Sequence, residues 1–366
     1  MKSIILTVLL VLSMQVAKSQ ETIPLGNEAN SKGVFIVIRE YPHGAVKLRL
    51  LNPLTGDQKD YLDLRQVGYQ TPEVALSEEG KHVFSLEVKE GSSVFPPLNS
   101  SRIVRYDTSS DERTVMFSRK NMVDFALSPD YTAILVHYYP DEITVIDNST
   151  VGLGQWCIVS LKTNDDSCDS IPFTEKIPPD KVFWVGNEKL AYISQSGDSI
   201  RLVNDTTFIT DTIALPKGVY ADRLLPIKNS EDILIHLSPV DATGNCKLLT
   251  LKMPTNEIHP IADLACSSTI TFLSISIHTR TLVIGYAGRP ALIIDLSTGH
   301  VLKELPSLLG MEWNNVQWLD ETYEAFVIGQ LYYKGKPIAT AIFDPMIDSA
   351  LNIMPIAQDE VVLAVP

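Results

Sequence analysis

Seven residues that could do chemistry recur at one point of a repeated sequence pattern, where each copy enters an apolar run. They are Glu73, Asp124, Lys181, Asp222, Phe272, Asn315 and Glu360. Carboxylate and amide oxygens are the ligands that Ca²⁺ and Mg²⁺ take in proteins. A carboxylate crowded by like charges can also act as a general base. The oxygen-bearing members therefore form a candidate ligand or cation site, interrupted by a lysine and a phenylalanine; solvated side chains around ordered water are the alternative.

The pattern that positions these residues is clearest from Met122 to Asp147. This stretch predicts a strand, a tight turn at Ser128–Asp130, a second strand, a polar loop and a third strand. Glu73–Gly80 aligns with Asp124–Tyr131, and weaker copies begin at Lys181, Asp222, Phe272 and Asn315. The copies recur at a spacing of roughly 40 to 57 residues, which is the range of β-propeller blades.

A second signature closes several copies, in which a strand ends on Asp or Asn and a turn follows. Examples are Leu51–Gly56, Tyr106–Asp111, Ile294–Gly299 and Phe343–Asp348. The Asx side chain can cap the turn, and Gly can take a position with positive φ. With the Ser128-Pro129-Asp130 turn, the Asp-x-Ser-Thr-Gly run at Asp295–Gly299 resembles the WD40-like and TolB-like β-propeller superfamily over nearly the whole mature chain. The resemblance implies the fold and no particular activity.

The sequence at the two ends of the chain predicts how the blades of the propeller would close into a ring. The segment 34–64 holds three expected strands of a blade but lacks the innermost strand. Glu360–Val365 looks like an innermost strand that has no blade of its own. Joining the two predicts an all-β propeller of seven four-stranded blades, closed by pairing of the N- and C-terminal segments. Closure removes exposed strand edges. Six or eight blades are the alternatives.

The N-terminus has the pattern of a secretory signal. Lys2 precedes the apolar run Ile4–Met14, and Ala17-Lys18-Ser19 is a cleavage pattern before Gln20. The run is short for a membrane span, so we expect cleavage; an uncleaved anchor is the alternative. The expected organisation is a signal peptide at 1–19, a short segment at 20–32 and a propeller domain at 33–366. The mature chain is expected to be extracellular, or periplasmic in a Gram-negative bacterium, without membrane insertion.

Four cysteines in an exported chain predict disulfides. Cys157 and Cys168 flank one expected hairpin, and Cys246 and Cys266 flank another. We therefore predict the pairs Cys157–Cys168 and Cys246–Cys266. Zinc is the alternative, but the sequence has no Cys-x-x-Cys spacing. Three sequons, at Asn99, Asn148 and Asn204, would carry glycans only in a eukaryote.

The charge and the aromatic residues of the sequence indicate which classes of binding partner to expect. The formal net charge is −14, with 44 acidic and 30 basic residues, and no basic cluster stands out. This disfavours nucleic acid and anionic membrane surfaces as partners. Aromatic residues in expected loops, Tyr138-Tyr139, Trp313 and Tyr332-Tyr333 among them, favour a protein or glycan ligand.

The sequence shows no common catalytic motif, so no catalytic residue is assigned from it. His82, His137 and His236 lie in or beside expected strands, where packing or a local hydrogen bond is the favoured interpretation. We therefore predict a secreted, non-enzymatic binding scaffold for a protein or glycan. The alternative is a Ca²⁺- or Mg²⁺-dependent hydrolase or lactonase that uses the central channel, with Ca²⁺ as the candidate cofactor.

Overall fold

The structure, a computed structural model, describes most of the chain after residue 33. The described residues are 34–40, 43–52, 55–77, 81–90, 100–110, 112–139, 145–146, 149–150, 154–162, 168–171, 173, 182–227, 230–241, 244–253, 255–264, 270–276, 279–308, 310–319, 327–345, 349–355 and 360–364. The predicted signal peptide and the segment 20–32 lie outside them.

The described residues form strands joined by turns and loops. The first fifteen strands are β1 (Val34–Glu40), β2 (Gly44–Leu51), β3 (Gln58–Asp63), β4 (Tyr69–Leu76), β5 (His82–Lys89), β6 (Ser100–Asp107), β7 (Glu112–Lys120), β8 (Met122–Leu127), β9 (Ala133–Tyr138), β10 (Val145–Ile146), β11 (Ser149–Thr150), β12 (Gln155–Ser160), β13 (Asp169–Ser170), β14 (Val182–Val185) and β15 (Lys189–Ile193). The others are β16 (Ser199–Asn204), β17 (Thr210–Ala214), β18 (Val219–Pro226), β19 (Ile233–Pro239), β20 (Cys246–Lys252), β21 (Glu257–Leu264), β22 (Ile270–Ser276), β23 (Thr281–Tyr286), β24 (Leu292–Asp295), β25 (Val301–Glu304), β26 (Glu312–Trp318), β27 (Val327–Tyr333), β28 (Lys336–Asp344), β29 (Ser349–Pro355) and β30 (Glu360–Ala364). Within the ranges given above, no helix has the length and apolar character needed to cross a membrane.

The strands divide into five separate four-stranded sheets, one larger sheet and the short hairpin β10-β11. The four-stranded sheets are β8-β9-β12-β13, β14–β17, β18–β21, β22–β25 and β26–β29. The larger sheet has eight strands in the order β30-β1-β2-β4-β5-β6-β7, with β3 beside β2. First strands of successive sheets contact one another: β4 contacts β8, β8 contacts β14, and β14 contacts β18. This arrangement of sheets around their first strands is a β-propeller.

The eight-stranded sheet differs from the predicted seven separate blades. A single parallel bridge between Gly44 and Thr71 joins β2 to β4, and the strands on either side pair antiparallel. The bridge forms because the two backbones approach closely: a Cβ on Gly44 would lie 2.3 Å from the Thr71 carbonyl oxygen. Strand pairing therefore gives five four-stranded sheets and one eight-stranded sheet.

The two ends of the described chain are paired with each other. Residues Ile36 to Glu40 of β1 lie antiparallel to Glu360–Ala364 of β30. The segment after residue 33 thus receives its neighbouring strand from the other end of the chain, and the pair shares its backbone hydrogen bonds.

Several clusters of buried apolar side chains join one sheet to the next. One cluster joins Ala191 and Ile200 to Ile235 and Leu249 of the next sheet. The halves of the eight-stranded sheet also pack face to face, because Val37 shares a cluster with residues of β5 and β6. A further cluster packs β1 and β2 against β27 and β28. Each sheet is therefore held by the burial of apolar area against its neighbours.

The turns follow the predicted Asx and Gly chemistry. Asp295 Oδ1 accepts hydrogen bonds from the backbone amides of Ser297 and Thr298, at 2.6 and 3.0 Å. Bonds from these amides, with that of Thr298 the largest cause, lower the pKa of Asp295. Gly299 has φ +72°, and Gly56 has φ +77°. These side chains close the outer hairpins, as expected from Asp295–Gly299.

A disulfide joins Cys157 of β12 to Cys168 just before β13, as predicted, with Cα atoms 5.4 Å apart. Cys246 is buried and disulfide-bonded. Its predicted partner, Cys266, lies outside the described residues, so the second pairing stays a prediction.

Removing the first disulfide is expected to destabilise the fold. Cys157 and Cys168 are separated by 11 positions, and a crosslink over such a loop contributes about 3 kcal/mol in the chain-entropy model. The C157A/C168A variant should lower the free energy of unfolding in urea by about that amount. Unchanged stability in that variant would contradict a structural role.

Candidate functional site

A bulge in β18 positions Asp222 at the entry end of the sheets. The term entry end is used here for the side of the sheets at which the first strand of each sheet begins and the second strand ends. In the sheet β18–β21, β18 begins there at Val219 and β19 ends there at Pro239. The register between β18 and β19 shifts between Ala221 and Arg223, which leaves Asp222 as the extra residue. A bulge re-aims the side chain of the residue it adds.

The Asp222 carboxylate receives two hydrogen bonds from β19. His236 Nδ1 lies 2.6 Å from one oxygen, and the Ser238 hydroxyl donates to the other at 2.5 Å. The His236 side chain is 1% exposed, whereas that of Asp222 is 28% exposed. A carboxylate only accepts hydrogen bonds, so the His236 proton at this contact lies on Nδ1. The carboxylate is therefore held by these two hydrogen bonds and remains partly accessible to solvent.

Tyr286, the last residue of β23 in the next sheet, extends the chain of hydrogen bonds. Its hydroxyl lies 3.1 Å from His236 Nε2, and the residue is 4% exposed. Burial, followed by the negative charge of Asp222, raises the pKa of Tyr286. The phenol thus keeps its proton, and its O–H can donate a hydrogen bond to His236 Nε2.

The order of burial decides what each group can do. The Asp222 carboxylate is the accessible member, so it can take a proton from a water molecule or a hydroxyl at the entry end. His236 and Tyr286 are buried, and Ser238 is partly exposed like Asp222; the hydrogen bonds of these three residues hold the orientation of the carboxylate and stabilise its charge. The arrangement suits general-base chemistry by Asp222, with three positioning residues.

By strand register, Arg223 of β18 occupies the position that corresponds to Asp124 of β8. Asp124 faces His137, and Arg223 faces His236, each one residue past a bulge. Asp222, which the sequence pattern aligns with Asp124, lies one residue earlier. A bulge residue has no partner across the ladder, and hydrophobic periodicity does not reveal it.

The other predicted site residues have partners of their own. Arg39 Nη2 lies 3.5 Å from the Glu73 carboxylate. Asp124 Oδ1 accepts a hydrogen bond of 2.8 Å from the next backbone amide. Asn315 is exposed with φ +50°, and its Nδ2 donates to Gln330 Oε1 at 3.1 Å. These contacts tie each residue to its own neighbourhood.

The remaining predicted positions lie in other surroundings or outside the described residues. Glu360 lies in β30 opposite Glu40. Phe272 is buried against Gly285, and Lys181 lies outside the described residues. Among the residues that the structure describes, no three His, Cys, Asp or Glu side chains come together as ligands of one metal ion. No step of the chemistry at this site is therefore assigned to a metal ion.

His137 is buried at the level of Asp124 without a hydrogen bond to either ring nitrogen within the described part of the chain. Its ring stacks on Trp156, with centroids 4.6 Å apart. Burial lowers the pKa of His137 to about 4. The imidazole is therefore neutral in the folded state at neutral pH.

This burial predicts an acid-sensitive fold. The unfolded chain binds a proton at His137 near pH 6.5, whereas the folded chain binds it only near pH 4. Stability is thus complete above pH 6.5 and falls as the pH drops toward 4, by up to about 3 kcal/mol. Urea denaturation between pH 4.5 and 7.5 should show a shallower pH dependence for H137Q than for the unmodified protein. Identical slopes would contradict this assignment.

The aromatic residues expected in exposed loops divide into two groups. Tyr138 is 2% exposed under the Arg119 guanidinium, so its predicted exposure is wrong. It ends β9, where it packs against the core instead of reaching solvent. Tyr333 is exposed at the end of β27. Trp313 is half-buried, with its indole N–H bonded to the Pro306 carbonyl.

Of the three sequons, only one can be placed. Asn204 ends β16, and its Oδ1 caps the turn by accepting hydrogen bonds from Thr206 and Thr207. Asn99 and Asn148 lie outside the described residues. Glycosylation at all three stays a prediction.

Sequence reasoning did not find Ser238 and Tyr286, and it assigned His236 only a local hydrogen bond. Ser238 follows His236 by two positions in β19, so the two side chains share a strand face. That period-two pair was the available signal. Tyr286 comes from another sheet, and no local pattern links it to Asp222.

The fold has many solved counterparts, although no protein-family model and no curated protein matches the chain by sequence. An oligogalacturonate lyase from Vibrio parahaemolyticus is 12% identical with a TM-score of 0.61, over 81% of this chain and 82% of that one. A periplasmic gluconolactonase from Pseudomonas aeruginosa is 13% identical with a TM-score of 0.57, over 91% and 99%. The β-propeller domain of a protease from Pyrococcus furiosus is 12% identical with a TM-score of 0.51, over 79% and 85%. At these identities the likeness shows the fold.

Proposed function

We propose that the protein is a hydrolase of carbohydrate lactones, with Asp222 as the general base at the entry end. The observation that carries the proposal is the partly exposed Asp222 carboxylate, held by hydrogen bonds from His236 and Ser238, with Tyr286 against His236. The similarity in fold to a gluconolactonase and an oligogalacturonate lyase supports carbohydrate chemistry.

The proposed reaction is a simple hydrolysis. Asp222 takes a proton from a water molecule while the water oxygen bonds to the lactone carbonyl carbon. The bond from that carbon to the ring oxygen then breaks, and the ring oxygen receives the proton from Asp222. One water is consumed, and the product is the open-chain hydroxy acid. The His236 N–H and the Ser238 O–H hold the carboxylate in place through the cycle.

A pH-stat assay tests the proposal. Purified full-length chain is incubated with D-glucono-δ-lactone, D-glucaro-γ-lactone and 6-phosphoglucono-δ-lactone, each with added Ca²⁺ and with chelator. We expect proton release above the uncatalysed rate for at least one of them. Release at the uncatalysed rate for all three, with and without the ion, would reject the lactonase.

A binding scaffold is the second candidate, and exposed apolar side chains favour it. Val67, Tyr220, Val240 and Tyr333 are all exposed large side chains at the entry end. Aromatic and aliphatic anchors of this kind are typical of protein interfaces. In a pull-down, a protein or glycan that binds the mature chain but not its V240D variant would support the scaffold. A partner that binds both equally would count against it.

We infer that the ring has seven blades and that the eight-stranded sheet counts as two of them. The single bridge at Gly44 and the buried cluster between the two halves support this division. The pairing of β1 with β30 supports closure by the chain ends. A crystallographic count of five, six or eight blades would overturn it.

We propose that the chain is exported, with the domain limits given by the sequence. The disulfide between Cys157 and Cys168 supports an oxidising compartment, either extracellular or periplasmic. Mass spectrometry of the secreted protein should find Gln20 at the N-terminus. An intact Met1 on the mature protein would contradict cleavage.

A further inference from the structure

Glu87, a buried carboxylate of β5, is shared by two arginines. Its Oε2 accepts hydrogen bonds from Arg102 Nε at 2.8 Å and from Arg113 Nη2 at 2.6 Å, whereas its Oε1 accepts one from the Tyr106 hydroxyl at 2.9 Å. The Glu87 side chain is 0% exposed, and the two arginine side chains are 23% and 29% exposed. One buried carboxylate therefore holds two partly exposed guanidiniums close together.

The charges of this group do not balance. Within the described part of the chain, Glu87 is the one carboxylate that pairs with either arginine. Tyr106 adds no charge, because burial and then the neighbouring Glu87 raise the pKa of its phenol. Two guanidiniums against one carboxylate leave a surplus of one positive charge in partly buried surroundings, where like charges repel more strongly than in water. An anion that contacted both guanidiniums would offset this repulsion.

Both arginines are held in place and keep donors that Glu87 does not use. The Arg102 guanidinium carbon lies 3.9 Å from the centre of the Tyr69 ring, so the ring face holds this cation. Arg113 donates from Nε to the Tyr106 hydroxyl at 3.3 Å, in addition to its bond with Glu87. A guanidinium has five N–H donors. In both arginines the other donors form no hydrogen bond with the residues that the structure describes.

We propose that Arg102 and Arg113 form a binding site for a small oxyanion, the carboxylate or the phosphate group of a ligand. The anion contacts both guanidiniums through N–H groups that Glu87 leaves unused. A guanidinium presents paired N–H donors that match the oxygens of either group. The site lies in the β4–β7 half of the eight-stranded sheet, whereas Asp222 lies in β18. It is therefore independent of the proposed lactonase.

Binding to the purified protein is measured by isothermal titration calorimetry with inorganic phosphate and with acetate. At least one of these anions is expected to bind with a Kd of about 1 mM or below. Binding should weaken as NaCl is raised, because the contact is between charges. The tighter anion identifies the group that the site accepts. Absence of binding by both anions up to about 10 mM would overturn the proposal.

The R102M and R113M variants keep much of the side-chain length and remove the charge. Each is expected to weaken binding of the tighter anion about tenfold or more. R119M is the matched control, because the Arg119 guanidinium of β7 also lies over a tyrosine ring, that of Tyr138 at 3.6 Å, but pairs with no carboxylate in the described residues. This control should leave the Kd within about twofold. Equal Kd values in R102M, R113M and the unmodified protein would overturn the site.

A crystallographic measurement does not depend on the stability of these variants. Crystals of the unmodified protein are soaked in the tighter anion, phosphate or acetate. We expect difference density for the anion with its oxygens within about 3 Å of N–H groups of both Arg102 and Arg113. Anion bound only at other positions would show that the measured affinity belongs to another site and would overturn the proposal.

Discussion

Replacing Asp222 with asparagine is expected to lower kcat of lactone hydrolysis by about 100- to 10,000-fold, the usual contribution of a positioned general base. The amide keeps the size of the side chain but cannot take the proton from water. KM should change little, because the carboxylate acts on the attacking water rather than on the sugar. Initial rates in the pH-stat at saturating lactone check the prediction.

The matched control for this variant is D241N. Asp241 is an exposed carboxylate just after β19, in the same sheet and at the same end. Its replacement removes the same charge and should leave kcat within about twofold. A comparable loss of rate in D241N would show that the general charge of this end, rather than Asp222, controls the reaction.

Tyr286→Phe separates positioning from catalysis. The variant keeps the buried ring and removes only the hydroxyl that lies 3.1 Å from His236. It should shift the pH–rate profile and lower kcat less than D222N does, because His236 still holds Asp222. A profile identical to that of the unmodified protein would mean that Tyr286 only packs.

Replacing Glu87 with alanine is expected to lower the free energy of unfolding by about 3–5 kcal/mol, the loss that follows when one partner of a buried ion pair is removed. Glu87 is 0% exposed in β5. It accepts hydrogen bonds from Arg102 at 2.8 Å, Arg113 at 2.6 Å and the Tyr106 hydroxyl at 2.9 Å. Without the carboxylate, two partly buried guanidiniums remain close together.

Two further variants sharpen this experiment. Glu87→Gln keeps an acceptor and removes the charge, so we expect an intermediate loss in urea denaturation. Glu90→Ala, one residue beyond β5, removes an exposed carboxylate and should change stability by less than about 1 kcal/mol. A stability of E87A equal to that of E90A would contradict the structural role of the buried carboxylate.

The strands and turns were predictable from local sequence. The expected strands at Ala133–Tyr138 and Thr281–Tyr286 coincide with β9 and β23, because a short apolar run bounded by turn residues is typical of a strand buried on both faces. The Gly299 turn followed from Asx and Gly chemistry alone. Pairing between the two chain ends was foreseen from a missing strand at one end and an extra strand at the other.

The candidate site was predictable only in part. Asp222 was found by position in the repeat, but its function depends on a bulge, which adds one residue without changing the apolar pattern. Tyr286 reaches His236 from the neighbouring sheet, so its proximity arises from packing between sheets. The Gly44 bridge likewise depends on how closely two backbones approach.

The most direct test of the account is a crystal structure of the protein with D-glucaro-δ-lactam, an anionic lactam that resists hydrolysis. We predict that the lactam carbonyl carbon, or a water held against it, lies within about 3 Å of the Asp222 carboxylate. Lactam bound only away from the entry end, or oriented with its carbonyl facing away from Asp222, would contradict the account.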